Sequence, residues 1–385
     1  MPSRSGVQAG TASGVDIALG LSAAAAAALV AYGLIQGHKQ QRLQPLTREQ
    51  WLAMQDSTHR LSRSLPVLLD QVRKGGCLPE LRAEVWPYLL RLDSPSDNLE
   101  QRRKLRVELS RSYVKLLQRC QELECALKTS DVRTSAGEAT AEHASAAQPL
   151  PPSLAQFAEA QRIILLDAVR TDFSQSGQRS AAGSGNSGSA NRGPSGNGAG
   201  EGEGQRLGRV AEETLAGATH LTAFERHAAG RLIHLLSAYA VHDPETGYCQ
   251  GMSDLAVPML LVFEDDAMAF WCFERLLQRV KKNFRHDESG IKEQLATLAA
   301  VLQRADPVLF HHLRKIQAGD CFFAYRMVIV QLRREMPLQQ AMTLWELLWA
   351  EEFHHKMDNW VSAGSPVRLA DSAVSPLAGS PNIAL

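Results

Sequence analysis

An all-α fold is predicted by three observations on the 385-residue sequence. Apolar residues recur at helical spacing through most of the chain. No run sustains the period-two alternation of a half-buried strand, and helix-start signatures stand where the periodicity resumes. Hydrophobic residues make up 44% of the chain, enough to bury a sizeable core.

The first strong element is "LPVLLDQVRKGGCLPELRAEVWPYLL". Gly75 and Gly76 stop one helix, Pro79 suits the first turn of the next, and Leu81, Val85, Tyr88 and Leu89 share a face. A charged helix is predicted from about Asp97 to Lys128, on a stripe that includes Leu105, Leu109, Tyr113, Leu116 and Cys120. Residues 129–150 lose that stripe and read as a loop. A helix returns over "SLAQFAEAQRIILLDAVRTDF", with Ser153 as its expected cap. Residues 174–208 are rich in Gly, Ser and Asn and are expected to be disordered. Gly183, Gly185 and Gly188 fit G-x-G-x-x-G there, but no strand precedes them and no helix opens at them, so the dinucleotide-binding context is missing.

From Thr222 the helical pattern is nearly continuous. Thr222 and Glu225 form a capping box ahead of Leu232, Leu236 and Tyr239. After the turn "HDPETGYCQG" come an apolar stretch around Leu255 and Met259, then "AMAFWCFERLLQRVKKNF", then residues 291–304. Asp306 and Pro307 open a helix to about Gln317, and residues 322–335 and 338–353 complete the series. Trp86, Trp271, Phe273, Trp345 and Trp349 recur at helical spacing and read as core. Residues 354–385 carry repeated Ser-Pro and read as a disordered tail.

At the amino end, residues 1–16 read as a disordered leader and residues 36–65 as a linker. Between them lie 19 uncharged residues, 17–35, which Ile17 opens and Ile35 closes. That length is close to the ~20 residues a membrane-spanning helix needs, but alanines dominate and contribute little to insertion. The segment reads equally as a single-pass anchor or a targeting leader. As an anchor it would keep the main domain on the cytosolic side, because Lys39, Arg42 and Arg48 follow it.

Lys plus Arg and Asp plus Glu are equal at 41 each, which removes any overall basic field for nucleic acid. The six cysteines form no C-x-x-C pair, and the histidine doublets lack zinc-site spacing. There is no Walker A sequence and no G-x-S-x-G elbow, so nucleotide hydrolysis by this chain alone is not expected. Cys249 near His242 reads as a half-buried turn thiol. The residues left to weigh are Asp167 and Arg170, on one helix face at i, i+3, and Gln250 in "GYCQG". Singly, they fit a surface ion pair and a hydrogen-bonded turn.

Together they resemble a known signature. Ile164, Asp167 and Arg170 in I-x-x-D-x-x-R, then Tyr248, Gln250 and Gly251 in Y-x-Q-G, are similar to the paired motifs of TBC-domain Rab GTPase-activating proteins. "GGCLPELRAEVWPYLL", "DPETGYCQGMSDL" and "DCFFAYRMVIVQLRRE…LWELLWAE" extend the likeness over residues 66–353, in the plant and algal manner with an insert after the arginine motif. The resemblance implies a multi-helix TBC domain that binds a Rab-type small GTPase in its GTP-bound state and serves membrane trafficking from the cytosol or a cytosolic membrane face. It implies that Arg170 is an arginine finger and Gln250 a second, water-positioning finger. Asp167 would orient Arg170 or its helix, Tyr248 would brace the loop, and Gly251 would allow close approach of the partner. Mg²⁺ and GTP would belong to the partner, with no cofactor or metal held by this chain. Arg279, Lys281, Lys282 and Arg285 read as a solvated helix end or as a border of the GTPase-facing groove, and Arg333 and Arg334 are ambiguous in the same way. The family continues past the "LWELLWA" helix with further helices, so the domain is expected to be truncated in its carboxy-terminal lobe. Two alternatives stay open beside a GTPase activator: a catalytically silent Rab-binding scaffold, and a membrane-tethered adaptor.

Overall fold

The computed structural model describes residues 44–61, 65–136, 150–173 and 209–362. The leader, residues 17–35, the insert 174–208 and residues 363–385 of the expected tail lie outside the described residues. Among the described residues the regular structure is helical apart from one isolated parallel bridge, Leu46 to Cys77, so the all-α prediction holds. No helix there is long and apolar enough to cross a membrane.

The helices are α1 (Arg48–Ala53), α2 (Leu65–Arg73), α3 (Arg82–Leu89), α4 (Leu99–Ala136), α5 (Pro152–Arg170), α6 (Arg209–Gly217) and α7 (Ala223–His242). They continue as α8 (Met252–Val262), α9 (Asp266–Val280), α10 (Ser289–Ala305), α11 (Pro307–Lys315), α12 (Tyr325–Ile329) and α13 (Leu338–Ser362). Local chemistry sets several of these starts. The Thr222 side chain accepts from the Glu225 N–H at 3.2 Å, while the Glu225 carboxylate accepts from the Thr222 N–H at 2.8 Å, closing the predicted capping box of α7. Asp306 accepts from Leu309 N–H at 2.9 Å and caps α11 ahead of Pro307.

Two cores result. The larger joins α1 to α9 with α13, and holds Trp86, Phe270, Phe273 and Trp345 essentially out of solvent. A smaller one is built from Ile291, Leu295 and Leu298 of α10 with Cys321, Ala324 and Val328. A buried polar network ties the amino and carboxyl ends of the larger core. Glu346 of α13 accepts from Arg82 Nε at 2.7 Å, Trp86 Nε1 at 2.9 Å and the Cys77 N–H at 2.9 Å.

Several boundaries differ from the sequence reading. Much of the expected linker 36–65 is folded: Thr47 and Gln50 make a capping box, and Leu46, Trp51 and Leu61 are buried in the larger core. A six-residue helix is too short to display a stripe, which is why the pattern missed it. The expected loop at 129–150 begins as helix, since α4 runs to Ala136. Thr129 there bonds back to the Cys125 carbonyl at 3.0 Å, and loss of an apolar face does not end a helix. Ser153 is not the cap of α5; Pro151 holds that position, without a side-chain bond, and Pro152 opens the helix. The tail boundary at 354 also moves, because α13 continues to Ser362. Residues 322–335 are not one helix. A 3-10 turn (Phe322–Ala324) leads into the five-residue α12, and Gln331 and Leu332, at φ 51° and 60°, reverse the chain. The reading of Arg279 as part of a solvated end fails too. Its guanidinium is buried, donates to the Leu89 carbonyl at 2.9 Å and lies 6.0 Å from the Trp349 ring centroid.

Candidate functional site

Helix α5 packs along α7, which brings its carboxyl end beside the turn between α7 and α8. Arg170 is the last residue of α5, where a cation meets the negative end of the helix dipole. Its side chain is exposed, and no hydrogen bond or ion pair holds it among the described residues. The next residue, Thr171, turns the chain away and bonds back through Oγ1 to the Asp167 carbonyl at 2.7 Å.

The turn that carries Gln250 is built by Asp243. Its carboxylate accepts from the Thr246 N–H at 3.2 Å, the Thr246 hydroxyl at 2.9 Å and the Tyr239 hydroxyl at 3.2 Å, and its carbonyl accepts from the Gly247 N–H at 2.8 Å. The turn is then fastened to α5 at two points. Gln156 Nε2 donates to the Pro244 carbonyl at 2.5 Å, and the Tyr248 hydroxyl donates to Asp167 Oδ2 at 2.8 Å. Tyr248 is buried, and burial together with the Asp167 charge pushes its phenol well above the usual tyrosine range, so it stays a donor. Asp167 therefore serves the Tyr248 turn; among the described residues the ion pair with Arg170 that i, i+3 spacing allows is not formed.

Gly251 adopts φ 101°, a left-handed conformation that side chains resist, and stands at the head of α8. A Cβ there would lie 3.3 Å from Val330 Cγ1. Gly251 is buried, so its close approach is to the turn after α12 and lies within the chain. That same turn supplies two arginines. Arg334 grips Asp254, in the first turn of α8, through Nε at 3.0 Å and Nη2 at 2.7 Å. The bond to Asp254 raises the Arg334 pKa, whereas burial lowers that of Arg333.

Asp167, Arg170, Gln250, Asp254, Arg333 and Arg334 line one open cleft of about 390 Å³. Gln250 is exposed at its edge, with its amide uncommitted among the described residues. Four sequence candidates, Asp167, Arg170, Tyr248 and Gln250, thus converge from segments about eighty residues apart. Cys249 donates weakly to the Thr246 and Phe284 carbonyls at 3.7 and 3.5 Å, and burial raises its pKa, which suits a structural thiol. His242 instead packs edge-to-face against Phe270 and Trp271. Asp254 and the Val330 contact were not legible in sequence, because pairs spaced about eighty residues apart leave no local pattern.

An uncommitted guanidinium and amide on one cleft can together engage an anion and a polar molecule beside it. A family model described as the Rab-GTPase-TBC domain matches residues 219–358. Rab GTPase-activating protein 22 of Arabidopsis thaliana is 31% identical over 374 residues, covering 82% of this chain and 68% of that protein. The chain belongs to the Rab-GTPase-TBC domain family. GTPase-activating protein gyp7 of Schizosaccharomyces pombe is 26% identical, covering 79% of this chain and 34% of its own length. Human TBC1 domain family member 25 is 35% identical over 153 residues, covering 39% of this chain and 22% of that protein. This TBC-family chain thus spans about two thirds of the plant relative and about a third of the gyp7 protein. Its fold is similar to the crystal structure of the Ypt/Rab-GAP domain of Gyp1p, with TM-score 0.50 and 16% identity, covering 80% of this chain and 83% of that one. Gln250, Asp254, Arg333 and Arg334 fall within the TBC match, while Asp167 and Arg170 precede it and join the cleft through α5.

Proposed function

We propose that this chain is a GTPase-activating protein for Rab-type small GTPases, acting in trans on the GTP-bound partner in the control of membrane trafficking. One observation carries the reading: Arg170 and Gln250 line the same cleft with their polar groups uncommitted, on elements tied together by the Tyr248–Asp167 bond. The names of the TBC relatives support the choice of partner.

GTP hydrolysis on a small GTPase is slow because charge on the transferring phosphoryl oxygens is incompletely neutralised and the attacking water is loosely held. Arg170, a planar and permanently charged donor, would contact those oxygens as charge moves toward the leaving group. Gln250 would accept from the attacking water through its carbonyl and hold it in line. The Mg²⁺ and the GTP are the partner's. No proton need be taken by Asp167, whose Oδ2 accepts from Tyr248. An arginine supplied in trans contributes about 10³–10⁵ in turnover.

The test is GTP hydrolysis by a panel of purified Rab proteins with and without this chain, with binding of the GTP-loaded forms measured in parallel. Acceleration of at least one member supports the reading. Binding without acceleration would make the chain a scaffold, and neither would remove the Rab assignment.

A further inference from the structure

The cleft is lined by three arginines and three aspartates, and their pairing singles out one cation. Arg334 commits Nε and Nη2 to Asp254. Asp167 receives Tyr248. Arg170 is exposed and is the finger of the functional reading. Arg333 remains. It is half-buried, and its Nε is shielded from solvent with no acceptor among the described residues. Asp254 and Asp172 are near enough to favour its charge, yet burial still outweighs them and lowers its pKa. The cleft therefore holds a partly desolvated, permanently charged guanidinium whose two Nη groups have no protein acceptor among the described residues.

The backbone holds it there against local preference. Gln331 and Leu332 are consecutive non-glycine residues in the left-handed region, at φ 51° and 60°. The turn is fixed by Trp345 Nε1 donating to the Gln331 carbonyl at 2.8 Å and by the Leu332 N–H donating to the Met327 carbonyl at 2.7 Å. Strain retained in a turn that lines a cleft is expected where the side chain it presents has a use.

We propose that Arg333 is a binding residue for an oxyanion of the docked GTPase, seated in the same cleft as Arg170 and Gln250. The chemistry asked of the ligand is a planar or tetrahedral pair of anionic oxygens that the guanidinium fork can meet. A carboxylate on the GTPase surface and the terminal phosphoryl group of its nucleotide both supply it. This inference rests on the functional reading above.

The experiment compares unaltered chain, Arg333→Ala and Arg333→Lys, measuring affinity for a responsive Rab loaded either with GDP or with a non-hydrolysable GTP analogue, alongside thermal melting of each variant. Arg333→Ala is expected to weaken binding of the analogue-loaded Rab about tenfold or more with an unchanged melting midpoint, and Arg333→Lys to recover only part, because an ammonium lacks the fork. Weakening confined to the analogue-loaded form assigns the oxyanion to the nucleotide; equal weakening of both forms assigns it to a carboxylate of the Rab. If Arg333→Ala binds and accelerates like the unaltered chain while Arg170→Ala is inactive, the inference is wrong and the functional reading survives. If the unaltered chain accelerates no Rab, the functional reading fails and takes this inference with it. A lowered melting point for Arg333→Ala hands the decision to Arg333→Lys, whose full affinity would overturn the role of the fork.

Discussion

The Tyr248 hydroxyl donates to Asp167 Oδ2 at 2.8 Å, across 81 residues of sequence. The bond joins the turn that carries Gln250 to the helix that ends in Arg170. It also occupies a carboxylate that sits one helical turn from Arg170 and would otherwise compete for it.

Tyr248→Phe should therefore cost catalysis as well as stability. A hydrogen bond to a charged group contributes about 1.5–3 kcal/mol, and losing it frees Asp167 to draw in Arg170. Single-turnover hydrolysis by a responsive Rab should fall on the order of tenfold, with Rab binding nearly unchanged. Unaltered turnover would mean that the hydroxyl organises nothing in the cleft.

Gly251→Ala probes the backbone of the same turn. The added Cβ meets Val330 at 3.3 Å in a φ of 101° that alanine resists, so a stability loss of about 1–3 kcal/mol is expected in urea melts. Hydrolysis should fall as well, since Gln250 is the preceding residue. A stability change under about 0.5 kcal/mol, within the range of neutral substitutions, would show that the turn relaxes without strain.

Arg82→Ala tests what joins the two ends of the larger core. Arg82 and Glu346 have side chains only 3% and 0% exposed, and removing the cation leaves a buried carboxylate with Trp86 Nε1 and the Cys77 N–H as partners. Breaking one side of a buried ion pair destabilises by about 3–5 kcal/mol, so denaturant midpoints should drop sharply. The double substitution Arg82→Met with Glu346→Leu should recover part of that loss; no recovery would mean that the network does more than satisfy its own charges.

How much of this was legible in sequence differs by element. The capping box at Thr222 and the Asp306–Pro307 start could be read because each depends on residues three or fewer apart. The core tryptophans followed from helical spacing. Within the expected linker, α1 carries the same local capping signature at Thr47 and Gln50, but six residues cannot show a stripe and its anchor, Trp51 Nε1 to Glu84 at 2.7 Å, is made 33 residues away. For the site, motif spacing selected Arg170, Gln250, Asp167 and Tyr248. The resemblance implies that Asp167 orients Arg170 or its helix and that Gly251 admits a partner; the structure adds that the Asp167 carboxylate is bonded to Tyr248 and that Gly251 is buried, with Val330 where a Cβ would reach. Both additions are contacts between distant segments, which only the folded arrangement of α5, α8 and the turn after α12 determines.

The most direct measurement is single-turnover GTP hydrolysis by a responsive Rab with unaltered chain, Arg170→Ala, Gln250→Ala and the double variant, with binding of the analogue-loaded Rab alongside. Two fingers acting on one transition state should each be essential: Arg170→Ala lowers the rate about 10³-fold or more, Gln250→Ala lowers it strongly, and the double variant is little worse than the poorer single one, while binding stays within a few-fold. Full acceleration by either single variant, or loss of rate that merely follows loss of binding, would contradict the two-finger account.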